Sequence, residues 1–436
     1  MQMHLRPLIA RLAFIGLAAT APLSLLAPPP EVAGAWSTVG SLIAGRAQHT
    51  ATRLLDGRVL VTGGTDGRNH GLASTELFDP RRAGWQAGPP MSSTRIDHTA
   101  TLLPDGRVLV AGGIDQLDFP ETTLASTEIY APSTNRWTVA ASMLSARERH
   151  TATLLSDGMV LVVGGLVLSS PTRRGGFVDT AELYDPSTNR WSLTGPQVIG
   201  VRQGHTATRL LDGRVLVVGG EAGLGPNPSV ELYDPRTTTW SPAATLLAPH
   251  VGHTATRLTT GEVLIAGGAG SISPTFNEPE PLATVEVYDP TTDHWSLRSP
   301  MHSTRDTHTA TLLTAGTILV VGGAFTTTPL PELFDPAANR WLLVAGPSMN
   351  RHAHTATLLL DGRVLVAGGY SVDSMSSTLV YDAEGKVSPS VNARPPVVLA
   401  LVVLAALVLA SLALRRLPDR LRRLPSRPNA DEWIDP

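Results

Sequence analysis

The chain has 436 residues, a formal net charge of −3 and no cysteine. Without cysteine it forms no disulfide and carries out no thiol chemistry. Its nearly balanced charge gives none of the basic surface that nucleic-acid binding requires.

The N-terminal segment has the pattern of a secretory signal or an uncleaved membrane anchor. Arg6 and Arg11 precede an apolar run over residues 12–27, and three prolines follow at 28–30. A basic start followed by an apolar stretch is typical of export signals. We therefore predict that residues 1–34 are a signal peptide or anchor with a proline-rich spacer, and the sequence leaves its cleavage open.

A unit of about 50 residues repeats seven times between residues 35 and 383. Each copy places a histidine 14 residues before a Gly-Gly pair. Such a period, built from strand-like runs, is typical of propellers and solenoids. The repeat histidines are His49, His98, His150, His205, His253, His308 and His354.

Each repeat predicts four short strands. In the second repeat, the Asp105-Gly106 turn separates two apolar runs, which is a strong hairpin signal. A third strand over residues 127–130 ends at a proline-containing turn, and a fourth begins at Trp137. No helical crossover separates the strands, which excludes a parallel α/β fold. The unit is therefore an antiparallel meander, one blade of a propeller.

The last repeat lacks its tryptophan, whereas an additional one precedes the first repeat. Trp36 lies 13 residues before His49, which is the spacing found inside the array. We predict that a strand beginning at Trp36 completes the seventh blade as its outer edge. This pairing would close the ring and cover an open sheet edge.

The repeat resembles that of the Kelch-repeat β-propellers. Their signature is a diglycine followed by an aromatic residue and, seven residues later, a tryptophan. The resemblance implies an all-β, seven-bladed propeller over residues 35–383. The aromatic pairs here are Phe78/Trp85, Tyr130/Trp137, Tyr184/Trp191, Tyr233/Trp240, Tyr288/Trp295 and Phe334/Trp341.

The same resemblance bears on activity. Galactose-oxidase relatives of this fold use a copper site with a tyrosine crosslinked to cysteine, so the absence of cysteine argues against that chemistry. Some exported Kelch-like propellers are sugar epimerases or mutarotases acting on sialic acids. The sequence contains no recognisable catalytic constellation, and we predict no metal and no cofactor.

Candidate ligand-binding residues come from two features of one rim. The loop between the second and third strands varies in length, and variable loops on a rigid scaffold often bind ligands. The longest such loops, in repeats two, three and five, contain Asp115, the pair Arg173 and Arg174, and Phe276. Tolerated insertion without any ligand is the alternative explanation.

The second feature is an arginine three residues before the repeat histidine. A ring of guanidinium groups could bind carboxylated ligands. Its regular repetition favours the alternative, an ion pair with the glutamate of strand three. The sevenfold histidines are too far apart for a zinc site, so we assign them to packing or hydrogen bonding. The arginine positions are Arg46, Arg95, Arg147, Arg202, Arg305 and Arg351, with His250 in repeat five.

The C-terminal region predicts a membrane anchor. Residues 384–396 are a linker, residues 397–414 are uncharged and mostly apolar, and residues 415–436 are rich in arginine. A helix of 18 residues can cross a bilayer. The arginines that follow place the tail in the cytoplasm and the propeller outside it, in the periplasm or at the cell surface.

These features together predict a membrane-anchored module that binds a glycan or a protein through the variable rim. A carbohydrate-active enzyme using the same rim and a structural spacer at the cell surface are the alternatives.

Overall fold

The seven-bladed all-β propeller is confirmed by the structure, a computed structural model. The described residues form strands and turns and no helix. Most of the strands belong to seven sheets of four main strands each. The structure describes residues 31–32 and 34–385, except residues 69, 119–120, 169–174, 196–199, 224, 273–278, 324–328, 348–349 and 372–374.

The strands of each blade follow one another from the inside of the ring outwards. In order they are, for blade one, Thr50–Arg53, Val59–Thr62, Thr75–Asp79 and Gly84–Ala87; for blade two, Thr99–Leu102, Val108–Ala111, Thr127–Ala131 and Arg136–Ala140; for blade three, Thr151–Leu154, Val160–Val163, Ala181–Asp185 and Arg190–Leu193; for blade four, Thr206–Arg209, Val215–Val218, Val230–Asp234 and Thr239–Ala243; for blade five, Thr254–Arg257, Val263–Ala266, Val285–Asp289 and His294–Leu297; for blade six, Thr309–Leu312, Ile318–Val321, Glu332–Asp335 and Arg340–Val344; and for blade seven, Thr355–Leu358, Val364–Ala367, Ser377–Asp382 and, as its outer strand, Ala35–Ser41.

The strand sequences explain their places in the blade. The second strand, such as Val108–Ala111, is buried along its whole length, as its continuous apolar run predicts. The turn before it contains Gly106 at a φ of 86°, which lies in the left-handed region that glycine adopts without strain. The fourth strand is the sheet edge and exposes several of its side chains.

The hydrophobic core lies between neighbouring blades. Leu216 and Val218 of blade four, for example, pack with Val263, Ile265 and Tyr288 of blade five. Each innermost strand contacts the next, and the strand Thr355–Leu358 contacts Thr50–Arg53. Every blade therefore buries both faces against its neighbours.

The predicted closure of the ring is present. Ala35–Ser41 pairs antiparallel with Ser377–Asp382 and sets Trp36 opposite Tyr381, with ring centroids 5.0 Å apart. Val39 from this strand packs into the core between blades seven and one. The two residues Glu31–Val32, expected in the spacer, instead pair in parallel with the outer strand of blade six.

The meander gives the propeller two rims of different character. We call the rim with the turns between strands one and two and between strands three and four the turn rim. The opposite one, the loop rim, carries the loops between strands two and three and the connections between blades. Three of its loops contain short hairpins, which the sequence did not predict: Leu166–Val167 with Gly176–Phe177, Glu221–Ala222 with Gly225–Pro226, and Ala269–Ile272 with Pro279–Pro281.

The predicted terminal segments, residues 1–30 and 386–436 including the span at 397–414, lie outside the described residues. Within the part of the chain that the structure describes, no helix has the length and apolar character needed to cross a bilayer.

Candidate binding surface at the channel mouth

The repeat arginines are buried rather than displayed on the loop rim. Arg202 is fully buried, and its Nη1 donates to the carbonyl oxygens of Gly219 and Ser229, each at 3.1 Å. Its Nη2 donates to the Glu231 carboxylate at 3.0 Å. These are the ion pairs predicted as the alternative to an anion site. The same pair joins Arg46 to Glu76, Arg95 to Glu128, Arg147 to Glu182 and Arg305 to Glu332.

The arginine backbone and the diglycine connect one blade to the next. The amide of Gly64 donates to the carbonyl oxygen of Arg95 in the following blade at 2.8 Å, and the equivalent bond recurs at all seven junctions. A Cβ on Gly63 would lie 2.5 Å from that carbonyl and 2.7 Å from the His98 ring. The diglycine is thus required by the close approach of the next blade.

The repeat histidines complete this junction. The Nε2 atom of His98 lies 3.1 Å from the Thr50 hydroxyl of the preceding blade. Burial, followed by the charge of Arg95, lowers the pKa of His98 to about 3, so the ring is neutral. The described residues contain no group of three or more side chains arranged to hold a metal ion. The other six histidine–threonine contacts are His49 to Thr355, His150 to Thr99, His205 to Thr151, His253 to Thr206, His308 to Thr254 and His354 to Thr309.

Two blades depart from the arginine–glutamate arrangement. His250 replaces the arginine of blade five, with Nδ1 2.6 Å from the Gly267 carbonyl and Nε2 3.2 Å from the Glu286 carboxylate. The ring therefore lies between the same two groups, a glycine carbonyl and the strand-three carboxylate, that the arginine contacts in other blades.

Blade seven keeps the arginine but lacks the carboxylate. Leu379 stands opposite Val366, the place that the glutamate takes in the other blades. Arg351 donates to the carbonyl oxygen of Gly368 and to the Ser377 hydroxyl, and no described carboxylate pairs with it. Burial lowers the pKa of Arg351 to about 10.

The channel mouth is formed by residues that the sequence reasoning did not single out. We define the mouth positions as the two residues between the repeat arginine and the repeat histidine. The second of each pair has a positive φ, between 49° and 64°. Variation inside an otherwise constant motif is the signal that could have found them. The mouth positions are Ala47 and Gln48, Ile96 and Asp97, Glu148 and Arg149, Gln203 and Gly204, Val251 and Gly252, Asp306 and Thr307, and His352 and Ala353.

Backbone hydrogen bonds connect the mouth positions around the channel. The amide of Gln48 donates to the carbonyl oxygen of Ala353 at 3.0 Å, and the amide of Gly252 donates to that of Gly204 at 3.0 Å. Corresponding bonds join Asp97 to Gln48 and Thr307 to Gly252. The second mouth positions of neighbouring blades therefore meet directly around the axis.

The side chains make this mouth asymmetric. In blades one to three, the Asp97 carboxylate accepts from Gln48 Nε2 at 2.9 Å and from Arg149 Nε at 3.0 Å. In blades four to seven the same position holds only small side chains. At the second mouth position, polar and charged side chains therefore extend from blades one to three, whereas blades four to seven leave the backbone less covered. The small residues are Gly204, Gly252, Thr307 and Ala353.

Glu148 is the unusual side chain of this surface. It is 3% exposed and its carboxylate forms no hydrogen bond or ion pair with a described residue. Burial raises the pKa of Glu148 to about 7, opposed by Arg149 and assisted by Asp97 and Glu121. In contrast, Gln203 at the equivalent position of blade four donates to its neighbour Glu221 at 3.1 Å.

The loop residues predicted to bind ligand are only partly described. The Asp115 carboxylate accepts a hydrogen bond from the Thr122 amide at 2.7 Å, so it also shapes its own loop. Arg173, Arg174 and Phe276 lie outside the described residues. A cleft of about 160 Å³ beside Phe177 and Asp179 lies on the loop rim.

Larger clefts lie on the turn rim, away from the channel mouth. Clefts of about 250 and 390 Å³ are lined by turn residues such as Gly316 and Gly158. Both clefts lie at equivalent places, between the first turns of two neighbouring blades and the proline-containing turn of the second blade, so they belong to the repeat rather than to a distinct site.

Comparison with known proteins agrees with this architecture. The Kelch motif matches residues 46–92, 98–144, 205–247 and 259–302. Kelch-like protein 15 of Homo sapiens is 39% identical over 66 residues, which is 15% of this chain and 10% of that protein. Alpha-scruin of Limulus polyphemus is 29% identical over 133 residues, which is 29% of this chain and 14% of that protein. The chain thus spans a small part of these curated relatives.

Two solved structures share the fold. A fungal alcohol oxidase of the AA5 family, in complex with copper, superimposes with a TM-score of 0.64 and 18% identity, covering 82% of this chain and 79% of that one. The structure of YjhT gives a TM-score of 0.54 and 16% identity, covering 70% of this chain and 98% of that one. At these identities the likeness concerns the fold alone. The chain is therefore a seven-bladed β-propeller that carries Kelch repeats.

Proposed function

We propose that the chain is a binding module that recognises a protein partner through the mouth positions and the adjoining loops of the loop rim. The observation that carries this proposal is that structural and variable residues occupy different positions of the repeat. The shared arginine, glutamate, histidine and diglycine form contacts within and between blades. The blades differ at the mouth and in the loops, and differences on a rigid scaffold are where recognition resides.

A protein suits this rim better than a glycan does. A cleft on the described part of the loop rim has about 160 Å³, less than the roughly 300–1,000 Å³ that small-molecule sites usually enclose. Charged side chains distributed around the mouth favour an extended partner surface.

We further propose that the C-terminal apolar segment anchors the module in a membrane with the propeller outside the cytoplasm. Residues 397–414 followed by arginines, together with the export-like N-terminus, support this orientation. Protease added to spheroplasts should then degrade the propeller and spare an epitope placed after residue 430. Protection of the propeller would contradict the proposal.

Site-specific photo-crosslinking tests the binding function. We would place p-benzoylphenylalanine at Asp118 or Asp179 on the loop rim, with Ser156 and Leu360 on the turn rim as controls; all four side chains are exposed. In cells of the source organism, both loop-rim positions should give one adduct of the same mass. Adducts from the turn rim alone, or none from the loop rim, would overturn the proposal.

Catalysis is the second candidate, because a carboxyl group that titrates near neutrality can serve as a general acid or base. The pKa of Glu148, about 7, is the observation in its favour. Exchange of sialic-acid anomers followed by NMR, and lost in Glu148→Gln, would replace the binding function with an epimerase or mutarotase activity.

A further inference from the structure

The described part of the loop rim has more acidic than basic side chains. Outside the buried arginine–glutamate pairs, its described arginines are Arg68, Arg149, the buried Arg351, and Arg298, whose guanidinium lies 3.7 Å from Glu262. On the turn rim, by contrast, turn carboxylates pair locally, as Asp105 does with Arg107 and Asp212 with Arg214. The acidic residues of the described loop rim are Asp66, Asp97, Asp115, Asp118, Glu121, Glu148, Asp179, Glu221, Glu280 and Asp306.

Within the described part of this acidic surface, Glu148 is a buried carboxylate to which no described residue donates. Its side chain belongs to a residue that is only 3% exposed. A carboxylate that is buried without a donor is costly, since it loses hydration and gains nothing in return. Such a group is normally retained only where something else supplies the missing contact.

Arg149, the described cation nearest in sequence, is already paired. Its Nε atom donates to Asp97 at 3.0 Å, and its charge also interacts with those of Glu148 and Glu221. Asp97 and Glu121 add negative charge beside Glu148. Among the described residues, the negative charge at this point of the mouth therefore exceeds the positive charge that pairs with it.

We propose that Glu148, flanked by Asp97 and Glu121, forms a recess that receives a lysine or arginine side chain of the protein partner. The inference rests on the proposed function and adds the chemistry of the residue that is recognised. Insertion of a cation would pair the buried carboxylate and create a desolvated contact near the centre of the interface, where single residues contribute most. The surrounding acidic rim would attract a basic surface towards the recess.

Binding of fluorescein-labelled octalysine to the full chain in non-ionic detergent tests the recess, with fluorescence anisotropy as the readout. Glu148→Gln should raise the Kd about tenfold, because it removes a charged contact from a desolvated site. Two matched changes lose the same charge elsewhere: Asp118→Asn on the loop rim and Asp157→Asn on the turn rim. Each should change the Kd less than about twofold, since exposed charges are screened.

The outcomes separate the recess from general attraction and from the proposed function. Equal weakening by Glu148→Gln and Asp118→Asn, absence of octalysine binding, or tighter binding of spermine than of octalysine would overturn the inference. Octaarginine in place of octalysine distinguishes which side chain is preferred. Crosslinks from the loop rim combined with an unaltered octalysine Kd in Glu148→Gln would refute the recess and leave the binding function standing.

Discussion

At the scale of single residues, the residues that recur in nearly every blade have structural roles and do not indicate a ligand. Arg202 and Glu231 are both fully buried and paired, and their counterparts behave alike in four other blades. Residues that depart from the repeat pattern are therefore the ones that can indicate a ligand. Arg351 without its carboxylate and Glu148 without its donor are the two described residues that depart most clearly.

We expect Arg202→Met to cost far more stability than Arg351→Met. The first leaves Glu231 as a buried carboxylate without its cation, a situation that costs about 3–5 kcal/mol. Arg351→Met leaves no described carboxylate without its cation, so the loss in free energy of unfolding should be lower by about 2 kcal/mol or more. Urea unfolding of both variants measures the difference, and equal losses would contradict the assigned pairing.

Glu148→Gln should stabilise the fold at alkaline pH and not at acid pH. A carboxyl whose folded pKa is raised to about 7 favours the folded state below its unfolded value and penalises it as the pH rises. The substitution should therefore increase the free energy of unfolding by up to about 3 kcal/mol at pH 8, and little at pH 5. Unfolding at the two pH values tests this, and a loss of stability at pH 8 would show that the carboxylate has an internal partner.

Much of this residue-level picture was accessible from the sequence, but its decisive feature was not. Regular spacing predicted the ion pair of Arg202 and the hydrogen-bonding role of His98. That no described residue donates to Glu148 depends on its three-dimensional surroundings, which no sequence spacing encodes. The mouth positions vary from blade to blade between a nearly constant arginine and a constant histidine, so the repeat pattern does not mark them as functional.

At the scale of elements, one strand decides whether the ring is closed. Trp36 could be placed in blade seven because its distance to His49 repeats the spacing inside the array. The pairing of Glu31–Val32 with blade six and the hairpins of the loops could not be predicted, since such short segments carry no periodicity.

Removal of the closing strand should destabilise the propeller strongly. A chain that begins at Leu42 loses Trp36 and Val39 from the core and exposes the edge of Ser377–Asp382. The cost should reach about 3 kcal/mol or more, as for loss of one packed tryptophan. A chain that begins at Gly34 keeps the strand and is the matched control. Thermal unfolding at the same temperature for both chains would refute the closure.

At the scale of the whole molecule, the histidines at the seven blade junctions make the stability of the ring dependent on pH. Burial lowers the pKa of every repeat histidine, to about 3 for His98 and His354. In the unfolded chain these histidines are protonated near pH 6.5, whereas in the folded ring they stay neutral. Their contribution to the free energy of unfolding is therefore fully present above pH 6.5 and decreases as the pH falls. Glu148 acts in the opposite direction, but it is a single group.

We therefore expect steep acid unfolding. Each histidine should contribute a slope of about 1.4 kcal/mol per pH unit below pH 6, in the direction of lower stability. His98→Gln should reduce the slope of unfolding free energy against pH by the contribution of one histidine. Urea midpoints measured between pH 7 and pH 5 give the slope, and a flat profile would mean that the junctions accept protons without opening.

The central claim is that the shared residues hold the ring and that recognition belongs to the channel mouth. Hydrogen–deuterium exchange of the full chain, with and without octalysine, tests it most directly. We predict slower exchange in peptides that cover residues 95–98 and 147–150, with the turns at residues 105–106 and 157–158 unchanged. Protection confined to those turns, or no change at the mouth, would contradict the account.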